Sequence, residues 1–356
     1  MKLLVINIGS TSTKLAVYND ETPEFTHILR HTQEELKPLR SNEEHYAYRK
    51  PLVEAALKER GLIHTHFDAV VGRGGLIKPI PSGTYGVNQL MYDDLRTCKW
   101  GKHLVSLSGI LAFEVAAQYN CPAYIVDPVV VDELEDVARL SGYPDMPRTL
   151  AWHALNQKAI AKGYAKSIGK KYEDLNLIVA HMGGGVTIGS HRKGRVIDVN
   201  NGIDGDGPYS AERPGGLPVG EVMRLCYSGK YPTYDDIRKE FTSRGGLVAY
   251  LGTNDMKEVM KRIEAGDEYA KLILKGMAYQ VAKDIGAAAA VLHGEVNAVI
   301  ITGGIAYNKI VTDWIKEMVS FIAPYIVIPG EDELGALAMG ALRVLRGEEE
   351  AHIYAY

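Results

Sequence analysis

Short apolar runs separated by small polar residues occur in two similar patterns along the chain. Residues 3–8 (LLVINI) precede a Gly-, Ser- and Thr-rich turn and a second run at residues 14–18. Residues 177–181 (LIVAH) precede a glycine turn and two further runs at residues 186–191 and 195–199. Apolar runs of this length, bounded by turn residues, are typical of buried strands. Each region therefore predicts a strand, a tight turn and a returning strand.

Each half of the chain then continues with an isolated apolar run that ends in a polar residue. These runs are residues 123–127 (AYIVD) and residues 298–302 (AVIIT), the latter followed by Gly303 and Gly304. Other segments carry apolar residues spaced three and four apart, which predicts helices between and after the strands. These helices are expected at residues 104–119, 152–168, 268–292 and 332–346. The repeated order predicts a duplicated α/β protein.

The loop at residues 142–147 (GYPDMP) marks the expected domain boundary, near residue 150. We expect one domain over residues 1–150 and a second over residues 151–330. The C-terminal helix, residues 331–346, is expected to pack back on the first domain. The charged tail, residues 347–356, is expected to be frayed.

Composition and charge narrow the functional class. The chain has 356 residues, of which 46% are apolar and 24% charged, and its formal net charge is −4. This composition excludes a disordered chain, and the absence of a Lys/Arg-rich run argues against a nucleic-acid partner. The sequence contains neither a membrane-length apolar stretch nor the features of a signal peptide. We expect a cytoplasmic protein with no membrane partner.

Cysteine usage agrees with a reducing compartment. Cys98, Cys121 and Cys226 are odd in number and far apart, so they suggest neither a disulfide framework nor a metal knuckle. We expect them to be buried thiols.

The first turn, from Asn7 to Lys14 (NIGSTSTK), is a candidate phosphate-binding segment. The common phosphate motifs, the P-loop and the dinucleotide fingerprint, are absent from the sequence. Backbone N–H groups of such a turn form an anion site, to which the hydroxyls of Ser10 and Ser12 add donors. Asn7 ends the strand, where its amide would reach a phosphate or a metal-bound water. A plain hairpin turn explains this stretch equally well.

The glycine-rich turns of the second half are further candidates. His181 precedes Gly183, Gly184 and Gly185, and three successive glycines are costly to order unless a ligand needs close backbone approach. Gly303 and Gly304 begin a segment ending at Asn308 that would let an adenine ring lie against the backbone. A structural histidine and a simple strand–helix connection are the alternatives.

Single polar residues complete the set of candidates. Arg73 lies between glycines at a strand end, where its guanidinium offers a fork to a carboxylate or phosphate. Asp127 ends a buried strand before Pro128 and suits a metal or proton-transfer role, or a helix cap. Arg213 lies in a turn-rich loop whose piece 204–207 (DGDG) is read as turns, because it lacks the remaining ligands of a calcium loop.

Taken together, these segments resemble the acetate and butyrate kinases of the acetokinase family, within the superfamily of actin, sugar kinases and chaperone ATPases. The resemblance runs almost end to end and is greatest to the butyrate kinases. It implies two duplicated actin-like (ribonuclease H-like) domains with a central cleft, the first on the acyl-substrate side and the second binding the nucleotide. It also implies reversible transfer between ATP and a short-chain fatty acid, giving ADP and an acyl phosphate, with Mg²⁺.

The resemblance implies a role for each residue that matches a site residue of the family. Arg73 matches the family's carboxylate-binding Arg, Asp127 its catalytic Asp, and His153 and Arg213 its transition-state His and second Arg. Three turns would bind the nucleotide: the first turn at residues 7–14, the second at residues 183–185, and the third glycine turn, which begins at Gly303. The residues assigned to this role are Asn7, Ser10, Ser12, Lys14, His181, Gly183, Gly184, Gly185, Gly303, Gly304 and Asn308.

The acyl pocket and the metal are also assigned by resemblance. His103 matches a pocket-side His. Gly75 stands where acetate kinases carry a pocket-wall Val, so we expect a larger acyl pocket, with Trp152 as a further wall. Mg²⁺ would be held near Asn7, Asp127 and Glu333, although Glu331 and Asp332 leave the last assignment open.

Two departures from the acetate kinases and two alternative functions remain open. Gly184 replaces an Asn of the second phosphate loop, and residues 154–157 (ALNQ) replace a Gly-Thr-Ser-His run. The alternative functions are an acetate or propionate kinase and a non-kinase ATPase switch. We also expect a homo-oligomer, at least a dimer, as is usual in the family.

Overall fold

The computed structural model describes residues 1–203 and 205–356 and divides into two compact units. Unit 1 comprises Met1–Asp132 and Asp332–Tyr356, and unit 2 comprises Glu133–Glu331. Asp204, part of the predicted turn at 204–207, lies outside the described residues.

The division falls after Asp132 rather than near residue 150, because the intervening segment is bonded to unit 2. The Glu133 carboxylate accepts hydrogen bonds from Lys158 Nζ (2.7 Å) and from the Val196 amide (2.8 Å). Arg148 forms an ion pair of 2.8 Å with Asp198. The boundary predicted from the loop at residues 142–147 could not take these contacts into account, because they join residues that are distant in sequence.

Twelve strands are present in the described part of the chain. They are β1 (Lys2–Ile8), β2 (Ser12–Asn19), β3 (Thr22–Arg30), β4 (Ala69–Gly72), β5 (Thr84–Gly86), β6 (Ala123–Val126), β7 (Asn176–Met182), β8 (Val186–Arg192), β9 (Arg195–Val199), β10 (Ala298–Gly303), β11 (Tyr325–Pro329) and β12 (His352–Ile353).

The residues that the structure describes also form twelve α-helices. They are α1 (Gln33–Leu36), α2 (Asn42–Glu59), α3 (Gln89–Arg96), α4 (Ser106–Tyr119), α5 (Ala154–Ser167), α6 (Val219–Cys226), α7 (Tyr234–Ser243), α8 (Gly246–Leu251), α9 (Met256–Glu264), α10 (Glu268–Val291), α11 (Lys309–Val319) and α12 (Glu333–Leu345). Short 3-10 turns lie at Leu62–His64, Asp136–Arg139, Tyr172–Asp174 and Gly304–Tyr307.

The two sheets repeat one arrangement. The sheet of unit 1 has the order β12-β5-β6-β4-β1-β2-β3, and that of unit 2 has the order β11-β10-β7-β8-β9. In each, three antiparallel strands (β1–β3 and β7–β9) are followed by two strands parallel to the first, β4 and β6 in one and β10 and β11 in the other. The predicted duplication is therefore confirmed.

Each unit has its own apolar core. In unit 1, the central strands pack with α2, α3 and α4, around fully buried side chains such as Leu4, Ile6 and Leu111. In unit 2, the long helix α10 packs with α11 and the sheet, and α5 covers the other sheet face. None of the helices in the described part of the chain is both long and apolar enough to cross a membrane.

Two smaller expectations are wrong. The tail is not frayed, because β12 pairs with β5 and Tyr354 is buried with its hydroxyl donating to Asp94 Oδ2 (2.8 Å). The cysteines are not buried thiols: Cys226 is exposed, and the other two are half-buried.

Candidate functional site

Three polar residues of unit 1 come together at one edge of its sheet. Strands β1, β4 and β6 are parallel neighbours, with Gly72 of β4 in register with both of the others. Asn7 lies near the end of β1, Arg73 directly follows β4 and Asp127 directly follows β6. Since the carboxyl ends of parallel strands meet at the same edge, this edge is where such a fold places a ligand.

Glu333, the first residue of α12, gathers the side chains at this edge. Its Oε2 accepts a hydrogen bond from Asn7 Nδ2 (2.7 Å), and its Oε1 pairs with Arg73 Nη2 (2.8 Å). Lys14 Nζ lies 4.0 Å from the same carboxylate. Asn7 is buried and the other three side chains are half-buried, and the cluster places two cationic side chains beside one carboxylate.

The structure separates the three acidic residues that the sequence left open. Asp332 caps α12, because its carboxylate accepts from the Gly335 amide at 2.8 Å. Glu331 lies 3.5 Å from His181 of unit 2. Glu333 is thus the acidic residue that joins the cluster of Asn7 and Arg73.

The orientation of the Asn7 amide is fixed by its partner. A carboxylate only accepts, so the Asn7 nitrogen must face Glu333. The other end of the amide, Oδ1, is buried and has no hydrogen-bond partner among the described residues. A buried acceptor without a partner is rare and marks a place where a ligand or bound water would bind.

Arg49 of α2, which the sequence did not predict as a site residue, organises the first turn. This Arg is fully buried, and its guanidinium donates to the carbonyls of Gly9 (2.9 Å), Ser10 (2.8 Å) and Ser12 (3.1 Å). By binding the carbonyls, it holds the turn in one conformation. No sequence signal distinguishes it, because an Arg inside a polar helix is ordinarily exposed.

The predicted ligands of this turn lie at the surface of unit 1. Ser10 is exposed, while Ser12 and Lys14 are half-buried. The Gly9 amide donates to the Ser12 carbonyl at 2.9 Å and closes the turn. Its two serine hydroxyls are thus accessible to a ligand.

Asp127 is held in an uncommon backbone conformation. It is buried, and its φ of +39° lies in the left-handed region, which few non-glycine residues adopt. Its carboxylate accepts from the Gly83 amide (2.7 Å), and its own amide donates to the Gly83 carbonyl (3.0 Å). Strain of this kind is concentrated at functional sites, which favours a positioning role over a helix cap.

The space beside Gly75 is filled, which does not favour its expected role in the acyl pocket. A Cβ at Gly75 would fall against the backbone of Ser106 and within 2.8 Å of Leu95 Cδ2. The φ of Gly75 is not positive, so a turn conformation does not explain it either. Gly75 therefore lets the loop after β4 pack directly on the start of α4.

The other two predicted pocket residues have evident structural surroundings. His103 is exposed, and its Nδ1 accepts from the Val105 amide (3.1 Å) at the start of α4. Trp152 is 3% exposed and belongs to unit 2, directly before α5. His103 thus lies at the beginning of a helix, and Trp152 is a buried side chain of unit 2.

In unit 2 the glycine turn connects β7 with β8. The Gly183 amide donates to the Gly185 carbonyl (2.9 Å), and the Ser210 hydroxyl donates to the Gly184 carbonyl (2.6 Å). Gly184 is exposed, and a Cβ there would approach Glu212 Oε2 to 3.4 Å. The turn thus offers accessible backbone, as a phosphate loop requires.

His181 and His153 stack beside this turn. Their ring centroids are 3.9 Å apart and their planes differ by 18°. Nδ1 of His181 lies 2.8 Å from Asn156 Oδ1, and Nδ1 of His153 lies 2.9 Å from Thr187 Oγ1. His181 is buried, whereas His153 is half-buried. His153 is therefore the more accessible ring of the pair.

Arg213 lies against the same turn. Its Nη1 donates to the Gly202 carbonyl at 2.8 Å, and the guanidinium covers the position that a Cβ at Gly185 would occupy. Only glycine at residue 185 permits this approach. The structure thereby brings together His153, His181, Arg213 and the glycine turn within unit 2.

The third glycine turn lies at the same edge of the unit 2 sheet. β10 is parallel to β7, with Thr302 in register with His181. Gly303 has a φ of +88° and lies against the Met182 backbone, so a side chain is excluded there. Asn308 caps α11 by accepting from Ile310 and Val311 amides, which gives its Oδ1 a structural role.

Comparisons with known proteins show which family the chain is similar to. Residues 146–322 match the model of the acetokinase family. Butyrate kinase 1 and butyrate kinase 2 of Clostridium acetobutylicum are each 54% identical to the chain over 353 residues, which is 99% of both proteins.

A solved structure shows the same fold. Acetate kinase from Porphyromonas gingivalis superposes with a TM-score of 0.79 at 18% identity, over 97% of this chain and 99% of the other. The duplicated actin-like α/β fold is thereby confirmed. With the near-complete match to the curated butyrate kinases, it follows that the chain belongs to the acetokinase family.

Proposed function

We propose that the chain is a butyrate kinase, an ATP-dependent carboxylate phosphotransferase that interconverts butanoate and ATP with butanoyl phosphate and ADP. The observation that carries this conclusion is the 54% identity to curated butyrate kinases over 99% of the chain. The family relationship accounts for the use of ATP and ADP.

The reaction needs positioning and charge rather than a general base. A carboxylate oxygen attacks the γ-phosphorus of ATP, the new O–P bond forms, and the bond to the bridging oxygen breaks as ADP leaves. The ionised carboxylate has no proton to lose, so a base is unnecessary for the attack. Catalysis then rests on in-line placement and on donors around the equatorial phosphoryl oxygens.

Unit 1 carries the residues proposed to bind the acid. Arg73 uses Nη2 for Glu333, and no hydrogen bond of its Nε or Nη1 to the described residues is seen. A guanidinium forms charge-assisted, two-point hydrogen bonds to a carboxylate. We assign Arg73 to the carboxylate of the acid. Asp127, locked by Gly83, is assigned to positioning at the same edge of the sheet.

Unit 2 carries the residues proposed to bind the nucleotide phosphates. The turn at Gly183–Gly185 supplies accessible backbone, and His181 and Arg213 lie beside it. His153 is half-buried and stacked on His181, which supports a contact to the transferring phosphoryl group. Asn308 contributes through the backbone it caps rather than through its Oδ1.

The residues around Asn7 fit a magnesium ion. Mg²⁺ prefers oxygen ligands and is commonly held by one or two carboxylates together with substrate phosphates and water. Asn7 Oδ1 is a buried oxygen without a partner among the described residues, and the Glu333 carboxylate lies next to the same side chain. These two residues would hold the ion, directly or through water. When bound, Mg²⁺ neutralises charge on the phosphate chain.

A hydroxamate assay with a panel of acids tests the function. The purified protein is incubated with ATP, Mg²⁺, hydroxylamine and one straight-chain acid of two to six carbons. We expect acyl hydroxamate in every productive reaction, with butanoate giving the highest kcat/KM. A preference for acetate or propionate would replace the assigned substrate. ATP hydrolysis without hydroxamate for any acid would contradict a carboxylate kinase and favour an ATPase switch.

Oligomeric state is a separate proposal. We propose at least a dimer, on the family relationship alone, and sedimentation velocity of the purified chain tests it.

A further inference from the structure

A chain of hydrogen bonds runs through the interior of unit 2 from Tyr172 to His153. The Tyr172 hydroxyl lies 2.7 Å from His191 Nδ1, and His191 Nε2 lies 3.0 Å from Gln157 Oε1. Gln157 Nε2 lies 2.8 Å from Thr187 Oγ1, which lies 2.9 Å from His153 Nδ1. The three middle side chains are completely buried, so water does not compete for these bonds.

The orientation of the Gln157 amide is determined by the backbone. Its Nε2 also lies 3.1 Å from the Thr187 carbonyl oxygen, which can only accept a hydrogen bond. The nitrogen must therefore face Thr187, and the amide oxygen must face His191. This fixes the direction of the bonds on both sides of Gln157.

On one side, the Gln157 oxygen requires a proton on Nε2 of His191. Burial and the nearby Lys158 ammonium hold the pKa of His191 well below its ordinary value near 6.5, so the ring is neutral. A neutral ring with its proton on Nε2 has a lone pair on Nδ1. That lone pair accepts the Tyr172 hydroxyl proton.

On the other side, Thr187 Oγ1 accepts from Gln157 and has one proton of its own to donate. Thr187 is fully buried, and among the described residues His153 Nδ1 is the one acceptor that its hydroxyl reaches. A buried hydroxyl proton without an acceptor is costly, so it is donated to His153. Nδ1 of His153 is consequently the unprotonated nitrogen.

We propose that this relay fixes neutral His153 as the tautomer with its proton on Nε2, and that Gln157, Thr187 and His191 are positioning residues for phosphoryl transfer. The mechanistic part rests on the proposed function, whereas the tautomer does not. With Nδ1 engaged, the Nε2–H of His153 is a donor suited to an equatorial phosphoryl oxygen. The opposite tautomer would turn a lone pair towards the anionic group.

The tautomer is measured directly by ¹⁵N NMR of the full-length protein labelled at histidine, with His153→Gln used to assign the resonances. In the wild type at neutral pH, we expect an unprotonated Nδ1 and a protonated Nε2 for His153. A proton on Nδ1 would overturn the proposal. Because this measurement needs no change to the relay, it decides the tautomer even if a relay variant fails to fold.

Thr187→Val removes the hydroxyl at constant shape, and Thr187→Ser retains it. We expect Thr187→Val to lose the single tautomer and to lower kcat about tenfold, with KM for ATP within about twofold of the wild type. Thr187→Ser should recover both the tautomer and most of kcat. An unchanged His153 spectrum in Thr187→Val would contradict the relay.

Thr312→Val provides a matched control in the same unit. Thr312 is also buried, and its hydroxyl donates to the Lys309 carbonyl in α11, away from the relay. We expect its kinetics and His153 spectrum to match the wild type. If the wild type forms no acyl phosphate, the proposed function fails, whereas the spectrum still decides the tautomer.

Discussion

At the residue scale, Arg73 is the side chain that we propose to bind the carboxylate of the acid. It is about one quarter exposed and bonded to Glu333. Arg73→Ala should weaken transition-state binding of the acid by about 2–5 kcal/mol, at least about 30-fold in kcat/KM. Nucleotide affinity, measured by calorimetry with ADP, should change little, because the glycine turn and both stacked histidines belong to unit 2.

Arg343→Ala is the control for this substitution. Arg343 pairs with Glu349 at 2.8 Å and is as exposed as Arg73, but it lies at the far end of α12. Its loss should leave acid kinetics at the wild-type level. Unchanged acid kinetics in Arg73→Ala itself would contradict the assignment.

Gly75 is a second position at which one added side chain should change both stability and activity. A side chain there would overlap the Ser106 backbone at the start of α4. Gly75→Val should therefore destabilise unit 1 by about 1–3 kcal/mol, the usual cost of overpacking, and lower activity on all acids alike. Urea unfolding and the acid panel measure the two effects.

Gly86→Ala is a suitable comparison, since nothing lies within 4 Å of a Cβ at that residue of β5. This variant should be about as stable as the wild type. A folded Gly75→Val protein that prefers acetate would instead restore the pocket-wall interpretation.

At the scale of elements, Arg49 shows how α2 supports a turn far from it in sequence. Arg49→Met keeps the volume but leaves the carbonyls of Gly9, Ser10 and Ser12 without their donor. We expect a loss of about 2–4 kcal/mol in stability and weaker binding of ATP, because buried polar groups without partners are costly. Calorimetric titration with ATP and urea unfolding check both parts.

Arg49→Lys separates charge from geometry. A lysine keeps the charge but replaces the planar fork by a point donor, so it should restore stability only in part. Wild-type ATP affinity in Arg49→Met would show that the turn does not need this support.

The sequence predicted the elements whose signal is local. Strands β1, β2, β7 and β8 were found because short apolar runs flank small-residue turns. Helix α2 was missed, since it is polar on most faces and contains Pro51, which ordinarily interrupts a helix. β12 was missed because its two residues carry no pattern, and pairing with β5 orders them.

The residues of the candidate site also fall into those that the sequence predicts and those that it does not. Strand-end residues such as Asn7, Arg73 and Asp127 could be identified from their flanking sequence. Arg49 and the relay from Tyr172 to His153 could not, because their roles depend on contacts between residues distant in the chain. The duplication was predictable because it repeats local patterns.

For the molecule as a whole, histidines whose pKa is lowered by folding make stability depend on pH. Burial, with the nearby charge of Arg49, lowers the pKa of His31 and of His45 in unit 1. Burial, with the charge of Lys158, lowers the pKa of His191 in unit 2. Below about pH 6.5 the unfolded chain takes up protons that the folded chain does not, so stability falls as pH falls.

The expected slope for His191, which is completely buried, is about 1.4 kcal/mol for each pH unit below about 6.5. Hydrogen exchange between pH 7.5 and pH 5.5 resolves the two units separately. His191→Gln should flatten the pH dependence of unit 2 and leave that of unit 1 as it is, and His31→Gln should do the reverse. Equal slopes in wild type and His191→Gln would mean that folding does not lower the pKa of His191.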